Sequence, residues 1–382
     1  MARRVFAAMV ALAAFAPAAF GADSFSVNTV SPANGATVAG TISWEVATSQ
    51  PASRVDFYVD GVLAATDTAA PFSIRLNTAA YANGTHVLKA VAQRSNGATA
   101  SSQVSVAVQN VTRHFASRTS QGQSLALSLG FNVMDITGSQ TNPSDTKALV
   151  DALPLGVLAM IWVGNLDNTN CTTPGYSDAR YQALVDALGN DPKVYAWYIS
   201  DEPHPLTCTN AVSDIRARAD YLHAHSSFEK AFIVVEDGYG PCGNNLGCEY
   251  KALQPANTHV DLFGLDPFPC HYDSSGNPAP CNYSLITARV NSALANGVPL
   301  GIIVPLFQTF GQEGRTIGSV YYRTPSTSEL STILSTWSAA VPKPPLDYAY
   351  SFGTQCSSTS CPAPQALYNH PELQPIIQAH NS

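Results

Sequence analysis

The chain has 382 residues, a formal net charge of −8, and only 12% charged residues. That length allows two domains and a large core. The sparse, slightly acidic charge excludes a nucleic-acid partner, which would need a basic surface to neutralise phosphates, and suits an uncharged or weakly charged ligand.

Residues 1–22 read as a secretory signal. Arg3 and Arg4 supply the positive start, Val5 to Phe15 the apolar core, and Ala19-Phe20-Gly21-Ala22 the small residues near a cleavage point. The apolar run is too short for a membrane span, and no other stretch approaches the roughly 18 apolar residues that a span requires. The chain is therefore expected to be secreted or periplasmic.

Residues 23–110 read as an all-β unit. Short alternating runs recur at Val55–Val59, Phe72–Leu76, Val87–Val91 and Val104–Val108, with turn pairs at Asp60-Gly61 and Asn83-Gly84. This is the pattern of a small β-sandwich. The segments Ser31-Pro32-Ala33-Asn34-Gly35, Val55-Asp56-Phe57-Tyr58-Val59-Asp60-Gly61 and Asn83-Gly84-Thr85-His86 resemble bacterial Ig-like modules of secreted enzymes. The resemblance implies a spacer or accessory domain and says nothing of reaction type.

Residues 111–382 change to strand–helix alternation. Strands are expected at 114–116, 131–136, 157–163, 194–201, 231–236, 260–268, 299–307 and 347–352. Helices are expected near 120–129, 144–153, 177–188, 211–225, 283–296, 326–340 and 371–379. Near-continuous apolar runs such as Leu300-Gly301-Ile302-Ile303-Val304 suit parallel strands buried on both faces. Eight such strands predict an α/β TIM (β/α)8 barrel, whose usual size is about 250 residues. The expected fold is thus an N-terminal all-β Ig-like sandwich plus this barrel.

All eight cysteines follow residue 170 and fall in loops after barrel strands. An even count in an exported chain predicts disulfides. The expected pairs are Cys171–Cys208, Cys242–Cys248, Cys270–Cys281 and Cys356–Cys361. The C-terminal face of the barrel, where catalytic side chains sit in this fold, would then be the stapled one.

The fourth barrel strand runs Val194-Tyr195-Ala196-Trp197-Tyr198-Ile199-Ser200 and ends in Asp201-Glu202-Pro203. Two adjacent charges at an apolar strand tip are costly unless solvated, paired or used. Other strand ends on that face offer Asp135, Trp162, Asn165, Glu236, Asp237, Asp266, Gln308 and Tyr350. Carboxylates, amides and aromatics together suit a carbohydrate, and glycoside cleavage uses a pair of carboxyl groups. The expected catalytic set is Glu202, Asp201, Glu236 and Asp266. The expected substrate-binding set is Trp162, Asn165, Tyr198, His204, Gln308 and Tyr350. Trp197 is expected in the core. No cofactor or metal is required by any motif, and the chain is expected to act as a monomer on a glycan. Gly-x-Ser-x-Gly, phosphate-loop and dinucleotide motifs are absent, which disfavours lipases, kinases and dehydrogenases.

Asp201-Glu202-Pro203 resembles the Asn-Glu-Pro that closes the fourth strand in the large retaining clan of barrel glycoside hydrolases. That resemblance implies that Glu202 is the acid/base and that Asp201 replaces the Asn contacting the sugar. The clan's nucleophile lies at the tip of the seventh strand, where this chain has Gln308, with Glu313 five residues further on. The motif also resembles the Asp-Glu pair of substrate-assisted hexosaminidases, which implies that Asp201 orients the substrate's acetamido group and that Glu202 is the acid. A third arrangement pairs Glu202 with Glu236, or with Asp266 at the longer separation of an inverting enzyme. The alternative outside catalysis is a lectin-like binding protein on the same scaffold.

Overall fold

The computed structural model describes residues 24–78, 81, 84–119, 122–139, 141–164, 166–173, 177–226, 229–237, 246–311, 322–353 and 366–382. The expected signal segment, Asn165, Cys242, Glu313, Cys356 and Cys361 lie outside the described residues.

The N-terminal sandwich is built from β1 (Val27–Ser31), β2 (Thr37–Val38), β3 (Thr41–Thr48), β4 (Arg54–Val59), β5 (Val62–Asp67), β6 (Ser73–Asn77), β7 (Gly84–Gln93) and β8 (Thr99–Val108). One sheet has the order β1-β3-β6 and the other β2-β8-β7-β4-β5. Alternation sets the faces: Val55, Phe57 and Val59 of β4 point into the core, where Trp44 of β3 meets Phe57 edge-on at 4.9 Å. The β4–β5 hairpin turns on Asp60 and Gly61, both at positive φ (50° and 82°), as a tight two-residue turn of matching twist requires. Asp60 accepts from the Val87 N–H at 2.9 Å.

The second unit is a closed, all-parallel barrel. Its strands are β9 (Arg113–Ala116), β10 (Val133–Thr137), β11 (Leu158–Trp162), β12 (Val194–Asp201), β13 (Lys230–Val235), β14 (Leu262–Leu265), β15 (Ile303–Gln308) and β16 (Leu346–Tyr350), with β16 pairing back onto β9. Around it lie α1 (Gln123–Ser128), α2 (Pro143–Asp151), α3 (Asp178–Leu188), α4 (Ala211–His225), α5 (Cys248–Leu253), α6 (Pro255–Thr258), α7 (Ser284–Ala295), α8 (Thr327–Ala340) and α9 (Gln374–His380). The chain is therefore an Ig-like β-sandwich followed by a (β/α)8 barrel. Helices α5 and α6 were not expected, because segments of six and four residues are too short to carry a helical period.

Alternation along each barrel strand divides the core in two. Ala196 and Tyr198 join Phe115, Val133, Met160 and Phe232 inside the barrel. Trp197 and Ile199 join the layer between strands and helices. Trp197 is fully buried, packs on Tyr181 of α3 and donates its indole N–H to Glu229 at 2.5 Å, so it is core as expected.

The sandwich docks through Arg75 of β6. Its guanidinium donates to the Glu229 carbonyl at 2.9 Å and meets Asp261 at 3.3 Å. Both acceptors precede barrel strands, so the module sits on the N-terminal face, away from the cysteine-bearing loops.

Candidate active site

Disulfides organise the C-terminal face. Cys171–Cys208 ties the loop after β11 to the loop after β12, and Cys270–Cys281 closes the loop after β14. Cys248 is disulfide-bonded as well.

The tip of β12 departs from a regular strand. Its register against β13 shifts by one residue between Tyr198 and Ser200, so that Tyr198 pairs with Phe232 and Asp201 with Val234. Phe232 and Val234 both face the barrel interior. The bulge therefore brings Asp201 to the inward parity that Tyr198 holds. Consistently, the Tyr198 hydroxyl donates to Asp201 at 2.5 Å. Glu202 follows at φ 45°, a left-handed conformation that costs a non-glycine residue about 1–3 kcal/mol. Two main-chain hydrogen bonds hold it there. Its N–H donates to the Val234 carbonyl at 2.9 Å, and its carbonyl accepts from Asn168 Nδ2 at 2.8 Å. The same Asn168 accepts from the His204 N–H at 2.8 Å.

Three carboxyl groups converge from the ends of neighbouring strands: Glu202 after β12, Glu236 after β13 and Asp266 after β14. Asp266 is buried, and the Glu202 carboxyl acts on it directly. Burial, followed by the charges of Glu202 and Glu236, pushes Asp266 well above the usual carboxylate range. Glu236 is pushed up to about 8, first by burial and then by the Glu202 charge, while Arg289 of α7 pulls it down. Mutual repulsion of this kind makes Glu236 and Asp266 hold their protons more tightly than free carboxyl groups do.

Further carboxylates support the cluster. Glu249 of α5 is fully buried and lies 2.7 Å from His204 Nδ1; burial raises its pKa, opposed by that imidazole. Asp237 accepts from the N–H groups of Gly247 (2.5 Å) and Glu249 (3.2 Å) and so holds the start of α5. Asp135 on β10 accepts from the Arg118 N–H at 2.9 Å, and burial raises it.

The expected substrate-binding residues divide. Trp162 is half-buried and meets Tyr198 edge-on at 4.6 Å. Tyr350 stacks on Phe268 at 5.5 Å and 20°, and Phe310 and Tyr322 complete an aromatic group over the ends of β14, β15 and β16. Tyr198 is buried with its hydroxyl committed to Asp201. Gln308 departs from expectation. It is fully buried, its oxygen accepts from the Cys270 N–H at 2.9 Å, and its amide donates to the Cys270 and Arg323 carbonyls at 2.8 Å each. It clamps two loops together and has no amide group left over for a sugar. Asn168, Glu249, Phe268 and Phe310 were missed by the sequence reading, since nothing local distinguishes them from ordinary loop and core residues.

Residues 26–90 match the bacterial Ig domain family. No curated protein matches the chain. Among solved structures, the chain is similar to the fibronectin(III)-like modules of Clostridium thermocellum CbhA, with 23% identity over 22% of this chain and 95% of that one and a TM-score of 0.19. It is similar to a β-glucuronidase from Ruminococcus gnavus, with 11% identity over 94% of this chain and 67% of that one and a TM-score of 0.48. A β-D-glucuronidase from Dictyoglomus thermophilum aligns at 10% identity over 94% of this chain and 68% of that one, with a TM-score of 0.47.

Proposed function

We propose that the protein is a secreted glycoside hydrolase acting on a polysaccharide or oligosaccharide, with Glu202 as the general acid/base. The observation that carries this reading is the convergence of Glu202, Glu236 and Asp266, in surroundings that raise the proton affinity of Glu236 and Asp266. A general acid needs a proton at working pH, and Glu236 and Asp266 hold protons beside Glu202 because burial and the Glu202 charge raise them.

In this reading Glu202 protonates the departing glycosidic oxygen. Asp266, the buried neighbour whose proton affinity the Glu202 charge raises, is the adjacent proton reservoir. Asp201, fixed by the Tyr198 hydroxyl, faces the developing positive charge or the substrate's own acetamido group. Glu236 is the second carboxyl if an enzyme group rather than the substrate completes the reaction. Trp162 and Tyr350 supply apolar faces for sugar rings, and His204 positions the loop after Glu202. Residues 1–22 direct export, 23–110 form the accessory module, and 111–382 form the catalytic domain. Paired cysteines support export, and among the described residues no helix is long and apolar enough to cross a membrane.

The test is a glycan hydrolysis screen of the wild type beside Glu202→Gln, scored for new reducing ends. The expected result is release by the wild type and a loss of about 10²–10⁴-fold in the variant. Binding by both proteins with release from neither favours the lectin-like reading. Equal release by both removes Glu202 from the mechanism.

A further inference from the structure

A second cluster of ligating side chains lies at the opposite end of the barrel. His114 and Asp347 are register partners on β9 and β16, the two strands whose pairing closes the barrel. His114 Nδ1 lies 2.9 Å and 3.1 Å from the two Asp347 oxygens. His380, the last residue of α9, brings its Nε2 to 2.9 Å from Asp347 Oδ2. One ligating atom from each residue falls within 4.8 Å of the others. Asp347 is only 2% exposed, and both imidazoles are partly buried.

We propose that His114, Asp347 and His380 form a binding site for a divalent transition-metal ion of the zinc class. Two imidazoles and a carboxylate are the donor types that bind such ions. Tetrahedral coordination with bonds of about 2.0–2.1 Å sets donor atoms about 3.3 Å apart. The His–Asp separations here are already within a few tenths of an ångström of that, and the ligating atoms of the three residues all lie within 4.8 Å of one another.

The surroundings offer an independent indication. A cavity of about 510 Å³ opens onto all three residues. Two of its lining residues, Trp337 and Asn381, carry buried polar atoms, Nε1 and Oδ1, with no hydrogen-bond partner among the described residues. Buried polar atoms are nearly always satisfied. An ion that keeps one or more waters would bring donors and acceptors into this polar lining, while the three residues supply the protein ligands. The ion would act structurally, because the site is at the N-terminal end of the strands, across the barrel from Glu202. It would tie the closing seam of the barrel to the last helix.

The experiment uses the full chain stripped of metal with EDTA and titrated with zinc chloride. Calorimetry gives affinity, thermal unfolding gives Tm, and substitution with cobalt(II) gives the visible bands of a four-coordinate ion. The wild type should bind zinc, gain roughly 5 °C in Tm at saturation and show the cobalt bands. His380→Ala should weaken binding by at least about 100-fold, by analogy with the cost of losing partners around a metal. It should also abolish both the Tm gain and the bands. His380 ends the final helix, so this variant leaves every barrel strand intact and decides the matter even if His114→Ala fails to fold. Absence of zinc binding by the wild type overturns the proposal. Binding and Tm gain unchanged in His380→Ala overturn it too, by putting the ion elsewhere. A loss of stability in His380→Ala that is equal with and without zinc makes the cluster a plain ion-pair network, which also overturns the proposal.

Discussion

Asn168 grips the main chain of Glu202: its Nδ2 donates to the Glu202 carbonyl at 2.8 Å, and its Oδ1 accepts from the His204 N–H beyond Pro203. A side chain from the loop after β11 thus holds a strained residue at the tip of β12. Asn168→Ala should leave the Glu202 carboxyl chemically intact but misplaced. Small misplacements of reacting groups cost on the order of 10²-fold in rate. On a confirmed substrate we expect kcat to fall by about 10–100-fold, with KM changed little. Unchanged kcat would mean that the Val234 hydrogen bond alone fixes Glu202.

The carboxyl cluster gives stability a definite pH dependence. Glu236 is raised from 4.5 to about 8. Between those values the folded protein binds more protons than the unfolded chain. Stability should therefore fall as pH rises from about 4.5 to about 8, with the penalty fully present above that. Asp266 shifts in the same direction and adds to the slope. Tm measured from pH 5 to pH 9 should decline, and Glu236→Gln should flatten the decline and raise Tm at the alkaline end. An unchanged slope in Glu236→Gln would show that the burden rests on Asp266 or elsewhere.

The alkaline limb of activity should follow the same protons. A rate that depends on a protonated carboxyl in this cluster falls as the pH passes its apparent pKa, a value that belongs to the group rather than to one residue. A pH–rate profile of kcat/KM checks this. Glu236→Gln should move the limb, because it removes a charge that acts on Asp266.

The Cys171–Cys208 bridge separates residues 37 apart and carries the Asn168 loop. Breaking it with Cys171→Ser together with Cys208→Ser should cost about 2–4 kcal/mol of stability. Activity should fall further than global unfolding explains, because the Asn168 contacts loosen. Denaturant unfolding and kcat on the same preparation separate the two effects.

Arg75→Ala should act on the other face only. It removes the guanidinium contacts to Glu229 and Asp261. Kinetics on a soluble oligosaccharide should be unchanged, while limited proteolysis near residues 109–112 should speed up. A clear fall in kcat would show that the module influences the barrel's far end.

Much of this protein is written in local patterns. Alternation with period two marked β4, β6, β7 and β8, and the succession of apolar strands and amphipathic helices marked the barrel, because burial on one face or both leaves a direct trace in residue order. Paired cysteines in the loops after strands identified the stapled face, and two pairings appear as expected. Asp201-Glu202-Pro203 stood out because charge at the tip of an apolar strand is conspicuous. The tertiary structure decided what depends on register and distance. The bulge after Tyr198 turns Asp201 inward, and no residue type announces a one-residue slip against β13. Gln308, a candidate for sugar contact by position, is committed to Cys270 and Arg323, residues 38 and 15 positions away. The raised proton affinities of Glu236 and Asp266 arise only because three successive barrel strands end side by side in a poorly solvated place, where the Glu202 charge is felt by both.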